Sequence, residues 1–383
     1  MSAAVAGVAA TAFSSESQTS ELALAIEAIR GALADAGREP ADVDGIVRYT
    51  YDSSSAQHLI RELGIPRLRY FSEIPFGGSA TCAVVAHAAA AIESGLASCV
   101  ICFRALNGRS GLRLGRAERH LGRDTLVSEG EMAPGGGVLA APFGFLAPSH
   151  AMAMWAHRYQ HLHGLTDEQL RAALGAVAVT QRAYAQRNPR AVTRGRTLSY
   201  DEYREGRVIC TPLRVFDLCR ETDGGVALIV TRADDAPEGV RILAARQHIE
   251  PWQEQVPVYS EEISCLTSPG AVAELLDAAS CTAADVDVLG VYDGTTVNVM
   301  LALEDFGFCG RGEAPDLLAA GEHGPGGRIP TNTSGGLLSE GHVHGLNLVM
   351  EAVQQLRGRS PNQVDGARTA LVTSRSSSMV LAA

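Results

Sequence analysis

No lysine occurs among the 383 residues; all 32 basic side chains are arginine. Without a lysine amine there is no Schiff base with a carbonyl substrate or pyridoxal phosphate, and no P-loop lysine to hold a nucleotide's phosphates. Positive charge is the minority sign, with a formal net charge of -11 and a sequence pI of about 5.5. Nucleic-acid binding, which needs a basic face to displace counterions, is thereby disfavoured. Uninterrupted apolar runs stay short of the ~18–20 residues that a membrane-spanning helix requires. The stretch from Met1 to Thr11 is apolar, has no basic leader and runs into Ser14, Ser15 and Glu16, so it reads as a first strand and not a signal peptide. The expectation is an acidic cytoplasmic enzyme.

Aromatic residues are only 5% of the chain, against 46% hydrophobic and 20% charged, an ordinary globular composition for one large or two fused domains. Eight cysteines (Cys82, Cys99, Cys102, Cys210, Cys219, Cys265, Cys281, Cys309) are too dilute for a disulfide scaffold and read as reduced thiols. The one CxxC, Cys99 to Cys102, lies in a strand-like apolar run. Positions i and i+3 of a strand face opposite sides, so this pair is expected in the core and not on a shared metal.

The two ends of the chain resemble each other. Leu22, Ala25, Ile26, Ile29 and Leu33 mark a helix over Glu21 to Ala36, followed by Ala-Asp-Val-Asp44 and a strand ending in Tyr49. A second helix, Ala271 to Ala279, is followed by Ala-Asp-Val-Asp287 and a strand ending in Tyr292. Gly77-Gly78 opens an Ala-rich helix before a strand at Cys99 to Phe103; Gly335-Gly336 likewise precedes a helix from about His344 to Arg357 and a strand at Ala370 to Thr373. The pattern predicts an internally duplicated α/β fold with helix-sheet-helix-sheet-helix layers. Residues 1–106 with 215–235 form the first half and 236–383 the second. Residues 107–214 break the pattern, with an Arg-rich segment, a Gly-Pro-rich loop (Ala133 to Pro148) and helices over Ser149 to His163 and Thr166 to Arg187. Such an insertion reads as a lid or an oligomer surface.

Three segments carry a family resemblance: Asp217 to Val230 (DLCRETDGGVALIV), Leu303 to Glu313 (LEDFGFCGRGE) and Pro330 to His342 (PTNTSGGLLSEGH). They resemble the thiolase superfamily, and within it the lipid-transfer-protein branch of sterol carrier protein X thiolases and steroid side-chain-cleaving aldolases. The resemblance covers nearly the whole chain. It implies the duplicated thiolase fold in five layers (αβαβα), a homodimer and an acyl-CoA thioester substrate.

Two departures from degradative thiolases matter. Their nucleophilic cysteine sits at the start of the helix after the double glycine, where helix dipole and amides stabilise a thiolate; here that position is Gly78. Cys82, four residues on, is either a core thiol or a displaced nucleophile. The second thiolase cysteine is missing too, since residues 370–377 offer only hydroxyls and an Arg. His342 matches the family's Gly-His histidine, and Tyr292-Asp293 falls where thiolases carry Asn-Glu and carrier-protein thiolases His-Asp.

This combination resembles the aldolase branch and implies retro-aldol cleavage of a β-hydroxyacyl-CoA with a bulky steroid or terpenoid group, without a Cys nucleophile. A base must take the β-hydroxyl proton, the C–C bond breaks, and the thioester enolate must be stabilised and protonated. With no lysine iminium available, His342, His344 and Tyr292 are the candidate acids and donors, with Asp293 to orient them. Gly78, Asn332, Gly335 and Gly336 would shape the acyl-CoA site. The aldolase motif reads Glu-Ala-Tyr-x-His-Gly, whereas here it is Glu340-Gly-His-Val-His-Gly345, and Gly294-Thr-Thr296 replaces bulkier residues.

Other constellations keep two readings. His342 and His344 could be metal ligands or oxyanion-site histidines; His157, His161 and His163 could be ligands or one exposed helix face. No metal site and no dissociable cofactor is expected beyond the coenzyme A of the substrate. Arg104, Arg109, Arg113, Arg116, Arg119 and Arg123 could meet coenzyme A phosphates or a partner's acidic face, or line a solvated loop balanced by Glu118, Asp124 and Glu129. Tyr259 lies near a second tyrosine of the aldolase relatives. Those relatives also work with a separately encoded OB-fold, zinc-ribbon protein, so the resemblance implies a heterotetramer in which any zinc belongs to the partner. The rival functions are a thiol-independent acyltransferase or condensing enzyme and a non-catalytic lipid or acyl-CoA carrier.

Overall fold

The repeated Ala-Asp-Val-Asp frame has a direct structural meaning. In the first copy Pro40–Asp42 forms a 3-10 turn, Asp42 accepts from the Glu39 amide at 2.9 Å, and Asp44 accepts from the Ser98 and Cys99 amides at 2.8 and 3.0 Å. In the second copy Ala283–Asp285 repeats the turn, Asp285 takes the Thr282 amide at 2.8 Å, and Asp287 the Arg368 and Thr369 amides at 2.8 and 2.9 Å. Each copy thus caps the start of the strand that lies beside it, pairing donors the ladder leaves free.

The computed structural model describes residues 2–50, 52–75, 77–112, 143–145, 147–249 and 266–383. The chain begins with β1 (Ala3–Ala10), α1 (Glu21–Asp35), β2 (Gly45–Tyr49), α2 (Ala56–Leu63), β3 (Tyr70–Ile74), α3 (Ala83–Glu93) and β4 (Cys99–Asn107). It continues through α4 (Pro148–His163), α5 (Asp167–Arg187), α6 (Tyr200–Glu205) and the small hairpin β5 (Val208–Cys210) and β6 (Leu213–Arg214), then returns as β7 (Asp223–Arg232). The second half holds β8 (Val240–Gln247), α7 (Pro269–Ala279), β9 (Val288–Val291), α8 (Thr296–Asp305), α9 (Ala314–Ala319), α10 (Gly336–Ser339), α11 (Leu346–Leu356), β10 (Thr369–Ser374) and β11 (Ser377–Ala382). Helix starts follow from the local sequence: Ser20, Thr166 and Ser268 accept the amides of Ala23, Gln169 and Ala271, as N-cap hydroxyls do.

Strand order is β3-β2-β4-β7-β1-β8-β11-β10-β9. The order reads as a duplication about the β1/β8 seam, where only Ala4↔Arg241 and Val5↔Val240 pair. On either side the connections match: β1 and β8 run antiparallel to β7 and β11, which run antiparallel to β4 and β10, which run parallel to β2 and β9. The counterpart of β3 is reduced to one bridge, Leu289↔Thr331.

Alternation along the strands sorts the side chains into three cores. Val100 and Cys102 of β4, Val226 and Leu228 of β7, and Val372 and Met379 of β10 and β11 face a central core with α3 and α11. Cys99, Ile101, Ala227 and Ile229 face α1 and α2 on the far side; Leu289, Leu371 and Val380 face α4, α5 and α8 on the other. Three helical layers around two half-sheets make the five-layered fold. Cys99 and Cys102 are free thiols in different cores. The Ala-rich α3 reads AVVAHAAAAIE; small side chains let it sit between two sheet faces. The helix expected from His344 starts later, at Leu346, because His344 and Gly345 take φ of 48° and 81°, and a left-handed pair cannot continue a helix. Among the described residues no helix is long and apolar enough to cross a membrane.

Candidate active site

Four turns meet where the two halves touch: the Gly77–Ala80 turn before α3, the end of β9, the bend at His342 to Gly345, and the β10–β11 hairpin. Tyr292 follows β9 and stays in register because its amide donates to the Thr373 carbonyl at 2.8 Å. Its hydroxyl is hydrogen-bonded to His342 Nε2 at 2.9 Å. The phenol lies over the backbone of Gly78, and a Cβ on that residue would stand 2.1 Å from the hydroxyl oxygen. No residue but glycine leaves that space open. The volume a side chain at position 78 would take is therefore filled by a phenol from the other half of the chain.

The two histidines are buried, with ring centroids 5.2 Å apart and planes 76° from parallel. Burial first, and then the Arg104 charge, push the His342 pKa down to about 4. The same causes, with His342 third, hold His344 well below the usual histidine range. Both rings are neutral at pH 7. His342 is anchored by its amide, which donates to the Arg220 carbonyl and the Thr222 hydroxyl, each at 3.2 Å. The His344 carbonyl accepts from Thr81 Oγ1 at 3.0 Å, and its ring Nδ1 accepts from Arg104 Nε at 3.1 Å.

The chain is similar to proteins of named activity. Residues 259–382 match the family described as thiolase C-terminal domain-like. The chain is 42% identical over 380 residues, 97% of its length and 95% of the other's, to the 17-hydroxy-3-oxo-4-pregnene-20-carboxyl-CoA lyase of Mycobacterium tuberculosis. It is 40% identical over 377 residues, 97% and 94% of the two lengths, to the steroid side-chain-cleaving aldolase of Thermomonospora curvata. This chain belongs to the thiolase superfamily, in its steroid side-chain-cleaving aldolase branch. The solved Ltp2-ChsH2(DUF35) aldolase superposes with a TM-score of 0.90 at 37% identity, covering 100% of this chain and 98% of that one. The human mitochondrial 3-ketoacyl-CoA thiolase, with a TM-score of 0.67, 16% identity and 99% and 98% coverage, shares the fold.

In this aldolase-branch member Cys82 and the β10–β11 hairpin are both spent on structure. Cys82 is buried with Sγ 3.4 Å from the Val372 carbonyl, and burial raises its thiol pKa; it is a core thiol. In the hairpin, the Ser374 and Ser376 hydroxyls each donate to the Ser79 carbonyl at 2.7 Å, pinning it to the turn that carries Gly78. Tyr292 also borders a small cleft lined by Leu266, Thr267, Val291, Ala302 and Arg375.

The other expected residues act at one remove. Asp293 accepts from the Leu337 and Leu338 amides at 2.9 and 3.2 Å, and burial raises its pKa to about 7. It holds the Gly335-Gly336 turn, where a Cβ on Gly336 would stand 2.3 Å from its Oδ2. Asn332 spends both amide groups on the Val291 backbone, at 2.7 and 2.9 Å, and so fixes the end of β9 under Tyr292. The Arg109 amide donates to Asp223 at 2.9 Å. After burial and Arg196, the Arg109 charge lowers the pKa of Arg220, which neighbours His342. His157 bonds Gln160 and the Thr211 carbonyl, while His163 packs on Tyr159. Among the described residues no group of three or more His, Cys, Asp or Glu is placed to hold a metal. Arg113, Arg116, Arg119, Arg123, Tyr259 and Cys265 lie outside the described residues.

Arg104, grouped from sequence with the arginines for coenzyme A phosphates, a partner's acidic face or a solvated loop, is instead fully buried against His344 and Asp52, and Asp52 was missed altogether. The available signal was one arginine in an otherwise apolar strand, Cys-Val-Ile-Cys-Phe-Arg-Ala-Leu.

Proposed function

We propose that this chain cleaves a β-hydroxyacyl-CoA with a bulky steroid or terpenoid group, releasing a ketone and a shortened acyl-CoA without a covalent intermediate. The observation that carries this reading is the Tyr292 phenol, bonded to His342 and seated in the side-chain space of Gly78. The β-hydroxyl proton passes to the Tyr292–His342 pair, and the Cα–Cβ electrons move into the thioester as an enolate. The enolate oxygen is met by His344. The proton then returns from the pair to Cα, so atoms and charge balance. A histidine held near pKa 4 by burial and Arg104 is a weak base but, once protonated, a strong acid, which favours rapid return of the proton to carbon. Asp293, Asn332, Gly335 and Gly336 keep the surrounding turns in place, and Arg109 offers its guanidinium to a coenzyme A phosphate.

The reaction needs no dissociable cofactor in this chain. Similarity to the Ltp2-ChsH2(DUF35) aldolase supports a DUF35 partner here, and we extend this to a heterotetramer on a homodimeric core, with any zinc in the partner's zinc ribbon. The test is mass spectrometry of the co-expressed complex incubated with a 17-hydroxysteroid side-chain acyl-CoA. A ketone plus propionyl-CoA is expected. Acyl transfer to added thiols without ketone release would overturn the lyase reading in favour of a transferase, and binding without conversion of any β-hydroxyacyl-CoA would favour a carrier.

A further inference from the structure

The Arg104 side chain projects from the middle of β4 and is fully buried, as is its ion-pair partner Asp52, with Nη1 and Oδ2 3.1 Å apart. Asp52 is itself tied down, accepting from the Ser54 and Ala105 amides, each at 3.2 Å. A buried ion pair is a poor stabiliser, because desolvation offsets the attraction and an apolar pair of the same volume often does as well. Its location offers another reason. Arg104 Nε points at His344 Nδ1 from 3.1 Å, and a guanidinium has only N–H donors and does not lose its proton in proteins. Nδ1 must therefore present a lone pair, and the single proton of the neutral ring sits on Nε2. The nearest rings are those of His342 and Tyr49, 5.2 and 6.4 Å away between centroids, and among the described residues no carboxylate is hydrogen-bonded to the His344 ring to stabilise a charged form. Thr81 holds the His344 backbone in its left-handed turn.

We infer that the Arg104–Asp52 pair is a positioning device that locks His344 as the neutral Nε2–H tautomer, making it a fixed hydrogen-bond donor and barring it from acting as the base. The tautomer stands on geometry alone; its use at the enolate oxygen rests on the reaction proposed above. Proton transfer is then left to Tyr292 and His342, which divides the roles between the two histidines. Asp52 balances the Arg104 charge, so that a guanidinium can donate in the core without a free positive charge there.

The test is nitrogen NMR of the complex with 15N-labelled histidine, the His344 ring being assigned by its loss in His344→Asn. The expected signature is a pyridine-like Nδ1 and a pyrrole-like Nε2 that do not titrate across the pH 5–8 range where free histidines change charge. A protonated Nδ1 or a titrating ring in the wild type would overturn the inference whatever the substrate proves to be. In Arg104→Met/Asp52→Leu, which leaves no orphan charge, an Nδ1–H form should appear. There kcat should fall on the order of 100- to 1,000-fold with KM little changed, as for loss of an oxyanion donor. A folded double variant with the original tautomer would equally sink the idea.

Discussion

Adding one methyl group at Gly78 should disable the site without unfolding the protein. Gly78 does not take a left-handed φ, so it is glycine for space alone, and a Cβ there would lie 2.1, 2.2 and 2.3 Å from Oη, Cζ and Cε2 of Tyr292. Ordinary contact begins near 3.4 Å, so in Gly78→Ala the phenol must retreat by roughly 1 Å. The 2.9 Å bond to His342 then stretches past hydrogen-bonding range. Misplacement of a reacting group by ~1 Å costs about 100-fold, while overpacking costs about 1–3 kcal/mol of stability. The assay is steady-state cleavage by the complex, with thermal unfolding in parallel. Because the substitution acts through the phenol, it should add less than about 3-fold in a Tyr292→Phe background, where coupled residues are not additive. A folded Gly78→Ala enzyme with unchanged kcat, or full additivity with Tyr292→Phe, would refute the argument.

Removing the imidazole in His342→Ala should lower kcat by about 100- to 10,000-fold, read in the same assay with circular dichroism to confirm folding. Since burial and Arg104 hold His342 at about 4, the acid limb of kcat should lie nearer pH 4 than 6.5, as a pH–rate profile will tell. The same shift sets a sign for stability. Between those two values the unfolded chain binds protons that native His342 and His344 refuse, so these groups lower stability as pH falls through 6.5 towards 4, and urea midpoints should drop on acidification. Cys82→Ala should keep kcat within about 2-fold and lose about 1 kcal/mol, since its thiol is buried in the core against the Val372 carbonyl and the Ser377 hydroxyl; loss of turnover would revive it as a nucleophile.

The layered fold was legible because it is written in local repeats. Alternating apolar strands, hydroxyl N-caps and the two Ala-Asp-Val-Asp frames act over a few residues, and Asp44 and Asp287 do the same job in each copy. Gly78, Tyr292, Asp293, His342 and His344 could be picked out by motif, but not their arrangement. Asn332 illustrates the limit, for an amide in an active-site motif serves to clamp the Val291 backbone.

By itself the sequence excluded lysine chemistry and displayed the duplication, since each depends only on which residues are present and in what order, and its resemblance to thiolases implied Gly78 and hydroxyl side chains where their two cysteines stand. What fills the missing nucleophile's place was decided by the tertiary structure, where β9 brings Tyr292 across the interface of the two halves onto Gly78. Arg104 and His344 are 240 residues apart in sequence, and no periodicity links them. Their contact, and the charge states it imposes, exist only because the two half-sheets close around a shared layer of helices and exclude the water that would otherwise screen a guanidinium from an imidazole.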